Sequence, residues 1–129
     1  MALRLSTYAY GAPRKRGEGL RLGCARYPMR GVRKQDYAKR NIMDVWLPVV
    51  APSKDLVAWA TKSDLGDARV WKTFVRRYRR EMSDTNARQT IQALAKLAER
   101  TPIAIGCYCH TKRCHRFELE QLIRAAADE

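Results

Sequence analysis

The chain has 129 residues, 46% hydrophobic and 30% charged, with 26 Lys and Arg against 13 Asp and Glu, for a net charge of +13. That length holds a single domain, residues 1–129, with enough apolar content to bury a core without disulfide staples, which excludes a disordered chain. No apolar run approaches the roughly 20 residues of a membrane span, and Met1-Ala2-Leu3-Arg4-Leu5 lacks the apolar stretch and cleavage site of a secretory leader, so cytoplasm is the expected compartment.

Leu3 to Tyr10 nears the alternation of a strand, closed by Gly11-Ala12-Pro13. Arg14-Lys15-Arg16-Gly17-Glu18-Gly19 reads as a basic, mobile surface loop; its cations suit a phosphate, but it lacks the spacing of a nucleotide-binding fingerprint. Leu20 to Tyr27 is expected as a second strand, broken by Pro28-Met29-Arg30-Gly31. Arg26 and Arg30 then emerge at its carboxyl end, where forked guanidiniums suit either an anion or a structural carboxylate. Residues 32–44 are polar and read as a loop with a short helix. Val45 to Pro52 is a short strand or packed extended segment with Trp46 as a core anchor. Ser53 is the expected N-cap of a helix over Lys54 to Lys62, with Leu56, Trp59 and Ala60 on one face.

The clearest periodicity follows. Trp71, Phe74, Val75, Tyr78 and Met82 recur as one apolar stripe on a helix from about Asp67 to Ser83, and Asp67 suits its positive N-terminus. The opposite face carries Arg69, Lys72, Arg76, Arg77, Arg79 and Arg80, a solvated face or a track for a phosphate backbone. Asp84-Thr85-Asn86 caps another helix, with Ile91, Leu94, Ala95 and Ala98 inward, and Thr101-Pro102 stops it. Ile103 to Cys107 is a short buried strand. Phe117 to Ala127 is the last helix, with Leu119, Leu122, Ile123 and Ala126 on one stripe and His115 one turn before it. Charge is uneven along the chain: residues 1–40 hold eleven Lys and Arg against two acids, whereas residues 84–129 hold seven against six. A field of that sign attracts nucleic acid, nucleotides or other anions.

Three of the four cysteines and both histidines fall between Cys107 and His115, on one strand–loop–helix junction. In an open α/β sheet such junctions lie where ligands bind. Four chemistries fit the residue types. Cys114 at a helix N-terminus, with Arg113, Arg116 and His115 beside it, suits an activated thiolate for nucleophilic or redox work. Cys107, Cys109, Cys114 and either His110 or His115 suit zinc, although the spacing lacks paired C-x2-C turns. Cys107 and Arg113 have the C-x5-R spacing of thiol phosphatases, without a glycine in the loop. The fourth reading is structural, with small buried cysteines and a hydrogen-bonded buried His115.

Three stretches resemble the family of domain of unknown function 488, including its YeaO-like branch. They are Arg26-Tyr27-Pro28-Met29-Arg30-Gly31 after the second strand, Trp71-x-x-Phe74-x-x-x-Tyr78 in the central helix, and Cys107-x-Cys109 through Cys114-His115-Arg116. The resemblance covers about residues 20–127. It implies an α/β fold, a largely parallel open sheet flanked by helices, and it points to Arg26, Arg30, Cys107, Cys114, His115 and Arg116. It brings no reaction with it. Two positions depart from the family pattern: Ala25 stands where an Asp is frequent, and Pro28-Met29 where Trp-Pro is usual.

The combined expectation is a phosphate-bearing ligand, nucleotide or nucleic acid, held by Arg26, Arg30, Arg113 and Arg116 beside Cys107, Cys114 and His115 as candidate catalytic groups. A non-catalytic module, with or without a metal, and a thiol redox or phosphatase-like enzyme are the alternatives. Neither a cofactor nor an oligomeric state is readable.

Overall fold

The computed structural model describes residues 3–109 and 113–128. Strands β1 (Leu5–Ala9), β2 (Leu20–Gly23), β3 (Val45–Trp46) and β4 (Ile103–Cys107) form one all-parallel sheet in the order β1-β4-β2-β3. Helices α1 (Lys54–Thr61), α2 (Ala68–Met82), α3 (Thr85–Arg100) and α4 (His115–Ala127) accompany it, with single 3-10 turns at Lys34–Asp36 and Pro48–Val50. Ile103 pairs with Leu5 on one side and Leu20 on the other, so β4 is a central strand. All five of its residues are buried, which is why they read as an unbroken apolar run rather than an alternating one.

The two faces of the sheet are covered differently. Leu5, Leu22, Cys24, Ile103 and Ile105 pack against Leu56, Phe74, Tyr78, Ile91, Leu94, Leu119 and Ile123 of the four helices. Tyr8, Tyr10, Ala25 and Ala104 point the other way, against Tyr37, Ile42 and Met43 of the long β2–β3 connection. The chain is thus a single α/β domain in which the helices flank one face and irregular chain covers the other.

Local signals set the helix starts. The Ser53 Oγ accepts from the Leu56 N–H at 3.1 Å, and Ser53 in turn donates its N–H and hydroxyl to the Glu81 carboxylate at 2.8 and 2.5 Å, tying α1 to the end of α2. Asp67 accepts from the Arg69 and Val70 amides at 2.8 and 3.4 Å. Asp67→Ala should therefore cost about 1 kcal/mol, read as a lower urea midpoint at unchanged slope. Along α2 the rings of Trp71, Phe74 and Tyr78 stack in series at 5.3 and 6.4 Å, and the Tyr78 hydroxyl donates to the Val50 carbonyl at 2.8 Å. Lys72, Arg76 and Arg80 stay exposed, while Arg79 turns inward to pair with Glu118 at 2.9 Å.

Several expectations are corrected. The second strand ends at Gly23, because the chain leaves the sheet once β3 has paired with Leu22 and Gly23. Trp46 is not a core anchor: it is 36% exposed on the short edge strand, with its indole N–H donated to the Ala25 carbonyl at 2.9 Å. The last helix begins at His115, two residues before the start expected at Phe117. The basic loop before β2 is tied at both ends. Arg14 makes a two-pronged pair with Asp44 at 2.7 and 3.0 Å, and Glu18 is buried against the fully buried Arg21. Gly19 closes that loop with φ +82°, where an added Cβ would lie 2.0 Å from the Pro102 carbonyl oxygen. No helix among the described residues is long and apolar enough to cross a membrane.

Candidate functional site

Strands β2 and β4 are neighbours and end on the same side of the sheet, so the segments leaving them diverge around a crevice. A cavity of about 190 Å³ fills it. Ala25 and Arg26 reach it from the end of β2, Tyr108 and Cys109 from the end of β4, and Arg113, Cys114 and His115 from the start of α4. Val57 and Ala60 of α1, Leu65, and Phe74 of α2 form apolar walls. The space is below the roughly 300 Å³ at which pockets begin to enclose a drug-sized ligand, so it fits a small group or the end of a larger one.

His115 is 5% exposed and fixed from three sides. Its Nε2 lies 2.7 Å from the Cys24 carbonyl oxygen, and a carbonyl has no proton to give, so Nε2 carries the hydrogen. Its Nδ1 is left as a lone pair facing the Cys114 Sγ at 3.9 Å. The ring packs edge-on against Tyr78 at 5.4 Å. Burial, partly opposed by the Cys24 hydrogen bond, pushes the imidazole pKa down to about 4, so the ring is neutral at pH 7.

The three thiols of the junction converge. The Cys107 and Cys109 sulfurs are 4.0 Å apart, and the ligand atoms of Cys107, Cys114 and His115 all lie within 4.8 Å of one another. Cys107 and Cys114 are each 2% exposed, whereas Cys109 is half-buried on the cavity wall. Hydrogen bonds from Cys107 and Cys114 hold the Cys109 thiol well below its ordinary pKa. Cys107 moves the other way, because it donates to Cys109 and Cys114 and is buried. Cys114 is pulled down by its bond with Cys107, but its bond with Cys109 and burial outweigh that and push it up to about 11. Burial and the bond with Cys109 thus act on Cys114 against the activation expected from its place at a helix N-terminus. The helix terminus does not offset the loss of water at Cys114, and the thiol whose pKa is lowered is Cys109, offered by the sequence only as a metal ligand.

The arginines separate into different roles. Arg26 donates through Nε to the Pro52 carbonyl at 2.7 Å and through Nη2 to those of Pro48 and Ala51 at 3.1 and 3.2 Å. It lines the cavity, and no carboxylate pairs with it among the described residues. Arg113 also lines the cavity and donates to the Leu65 carbonyl at 2.5 Å. Arg116 does not reach the cavity: it is 6% exposed, donates to the Cys109 carbonyl and lies 4.6 Å over the Phe117 ring. Arg30 is exposed on the turn beyond β2 and lines no part of the cavity, which corrects its pairing with Arg26. The strand stops at Gly23, so residues 24–30 are free to turn, and the carbonyls of 48–52 capture only the first arginine. His110 lies outside the described residues, as does part of the loop between Cys107 and Arg113.

Tyr108 and Phe74 are wall residues that sequence reading missed. Tyr108 is 43% exposed and sits inside the cysteine motif, so its position was a usable signal. Phe74 was assigned wholly to the core because its stripe gives no hint that one edge of the ring borders a cavity.

A family model described as DUF488-N3a, the active DUF488-N3 subclade, matches residues 5–127. No curated protein and no solved structure matches the chain.

Proposed function

The chain belongs to the DUF488 family, in its N3a subclade, and from that premise and the geometry of the crevice we propose that the protein binds a small phosphate-bearing ligand, such as a nucleotide, at the carboxyl ends of β2 and β4. The observation that carries this reading is Arg26. Its partners are three carbonyl oxygens, which fix the guanidinium without cancelling its charge, so a full positive charge faces a largely apolar cavity. Two of its nitrogens are engaged, and Nη1 keeps its donors for an oxyanion. Arg113 adds a second cation on the same cavity, and Tyr108 and Phe74 offer aromatic surface to whatever carries the phosphate. The net charge of +13 draws such ligands in from solution. That the family model is described as an active subclade favours a working pocket over a purely structural one.

Calorimetric titration with adenosine monophosphate tests the reading. Arg26→Gln should weaken binding about tenfold, the loss of one charge-assisted hydrogen bond, while Arg30→Gln leaves it unchanged. Equal affinity for wild type and Arg26→Gln, with both melting alike, would remove the proposal. A loss seen only on reversing Arg76 and Arg80 would move binding to the exposed face of α2.

A further inference from the structure

We propose that Cys107, Cys109, Cys114 and the Nδ1 of His115 bind one zinc ion at the floor of the crevice. Three thiolates and one imidazole are a set that zinc takes in closed four-coordinate sites. Tetrahedral bonds of about 2.3 Å to sulfur place two sulfurs roughly 3.8 Å apart. Cys107, Cys114 and His115 already hold their ligand atoms within 4.8 Å of one another, with Cys114 3.9 Å from Nδ1. Cys109, outside that group but 4.0 Å from Cys107, must swing its sulfur inward from the half-buried cavity wall to complete the four. The imidazole is already prepared: a metal-binding histidine usually gives its other ring nitrogen to a carbonyl or carboxylate, and here Nε2 is held by the Cys24 carbonyl at 2.7 Å.

Arg116 supplies an independent observation. It is a buried guanidinium with no carboxylate partner among the described residues, and its Nε has no hydrogen-bond acceptor there. A buried, uncompensated cation is costly. Zinc with three thiolates and a neutral imidazole carries a net charge of −1. Arg116, bonded to the Cys109 carbonyl, stands where that charge would be neutralised. Entry is possible from the cavity side, where Cys109 is half-buried and Cys114 and His115 contribute to the lining. The ion would fasten the end of β4 to the first turn of α4, and it does so whether or not the crevice takes a phosphate.

Elemental analysis of the chain purified under reducing conditions and dialysed against zinc should give about one zinc per chain. Cys114→Ser and His115→Ala should lose it, and Cys24→Ala should keep it. Since those variants can unfold, cobalt replacement in the wild type is the second readout: intense visible bands of tetrahedral cobalt–thiolate are expected, and a chelator should abolish them while raising thiol-labelling rates at least tenfold. Substoichiometric zinc with no such bands, thiols that label equally fast with and without chelator, or a Cys107–Cys109 disulfide in the isolated protein would each overturn the site. Zinc content is read without any phosphate ligand, so its failure leaves the Arg26 titration standing, and the reverse holds too.

Discussion

Glu18→Ala should destabilise the protein by about 3–5 kcal/mol, a large share of the roughly 5–15 kcal/mol that holds a domain of this size. The side chains of Arg21 and Glu18 are 1% and 5% exposed. The guanidinium also donates to the Asn41 and Pro13 carbonyls at 2.7 and 3.2 Å and lies 4.1 Å over the Tyr8 ring. Removing the carboxylate leaves that charge sealed among carbonyls and an aromatic face, with the nearest remaining anion, Asp44, already paired with Arg14 and the Arg21 amide. Glu18→Gln keeps one acceptor and should fall at the lower end of the range. The pH dependence follows from the same pair. Burial raises the Glu18 pKa, but the Arg21 hydrogen bond and the Lys15 amide overcome it, so the folded value lies below the ordinary one. Asp44 is held down likewise, chiefly by its bond to Arg14. A carboxyl whose folded pKa is depressed contributes stability above its unfolded pKa and loses it as pH falls through the folded value. Urea titrations should show wild type losing stability below about pH 4.5, with a shallower loss in Glu18→Gln. A cost under about 1 kcal/mol for Glu18→Ala would mean that water reaches Arg21 and that the pair is not sealed.

How far the sequence foretold this molecule depends on whether a feature is local. Ser53 was legible as a cap because an N-cap acts within three residues, and Asp67, read only as a charge suited to the helix start, proves to be the N-cap of a helix that begins one residue later. The α2 stripe and the apolar run of β4 were legible because periodicity and burial leave direct traces. Arg21 was not: within Leu20-Arg21-Leu22 it reads as the solvent side of an alternating strand, whereas a chain segment twenty residues later folds over that face and seals it. The site divides the same way. Its position, at the Cys107–His115 junction, followed from strand–loop–helix order. Which arginine enters was set by the carbonyls of residues 48–52, far along the chain from Arg26. Which thiols are sealed and which one borders the cavity was hidden too, since helix position is readable and solvent access is not.

Gly106→Ala is the second large effect expected, and it links the core to the crevice. In the sheet Gly106 lies between Tyr8 of β1 and Gly23 of β2, and the Tyr8 ring crosses directly over it. An added Cβ would fall 2.3 Å from the ring's Cζ. A free ring would swing away, but this one is held: its hydroxyl donates to the Ile42 carbonyl at 2.7 Å, and the Arg21 guanidinium covers it. The methyl group must push ring or strand, at about 1–3 kcal/mol. The next residue is Cys107, so a shifted strand end moves one sulfur of the thiol cluster. Urea titration should therefore show lower stability together with faster labelling of Cys109. Once Glu18→Ala has loosened Arg21, the ring has room to retreat, and the double variant should lose less than the two single losses added together. Full additivity with a small single effect would show that Tyr8 moves independently of Arg21, and that the Glu18–Arg21–Tyr8–Gly106 stack does not brace the end of β4.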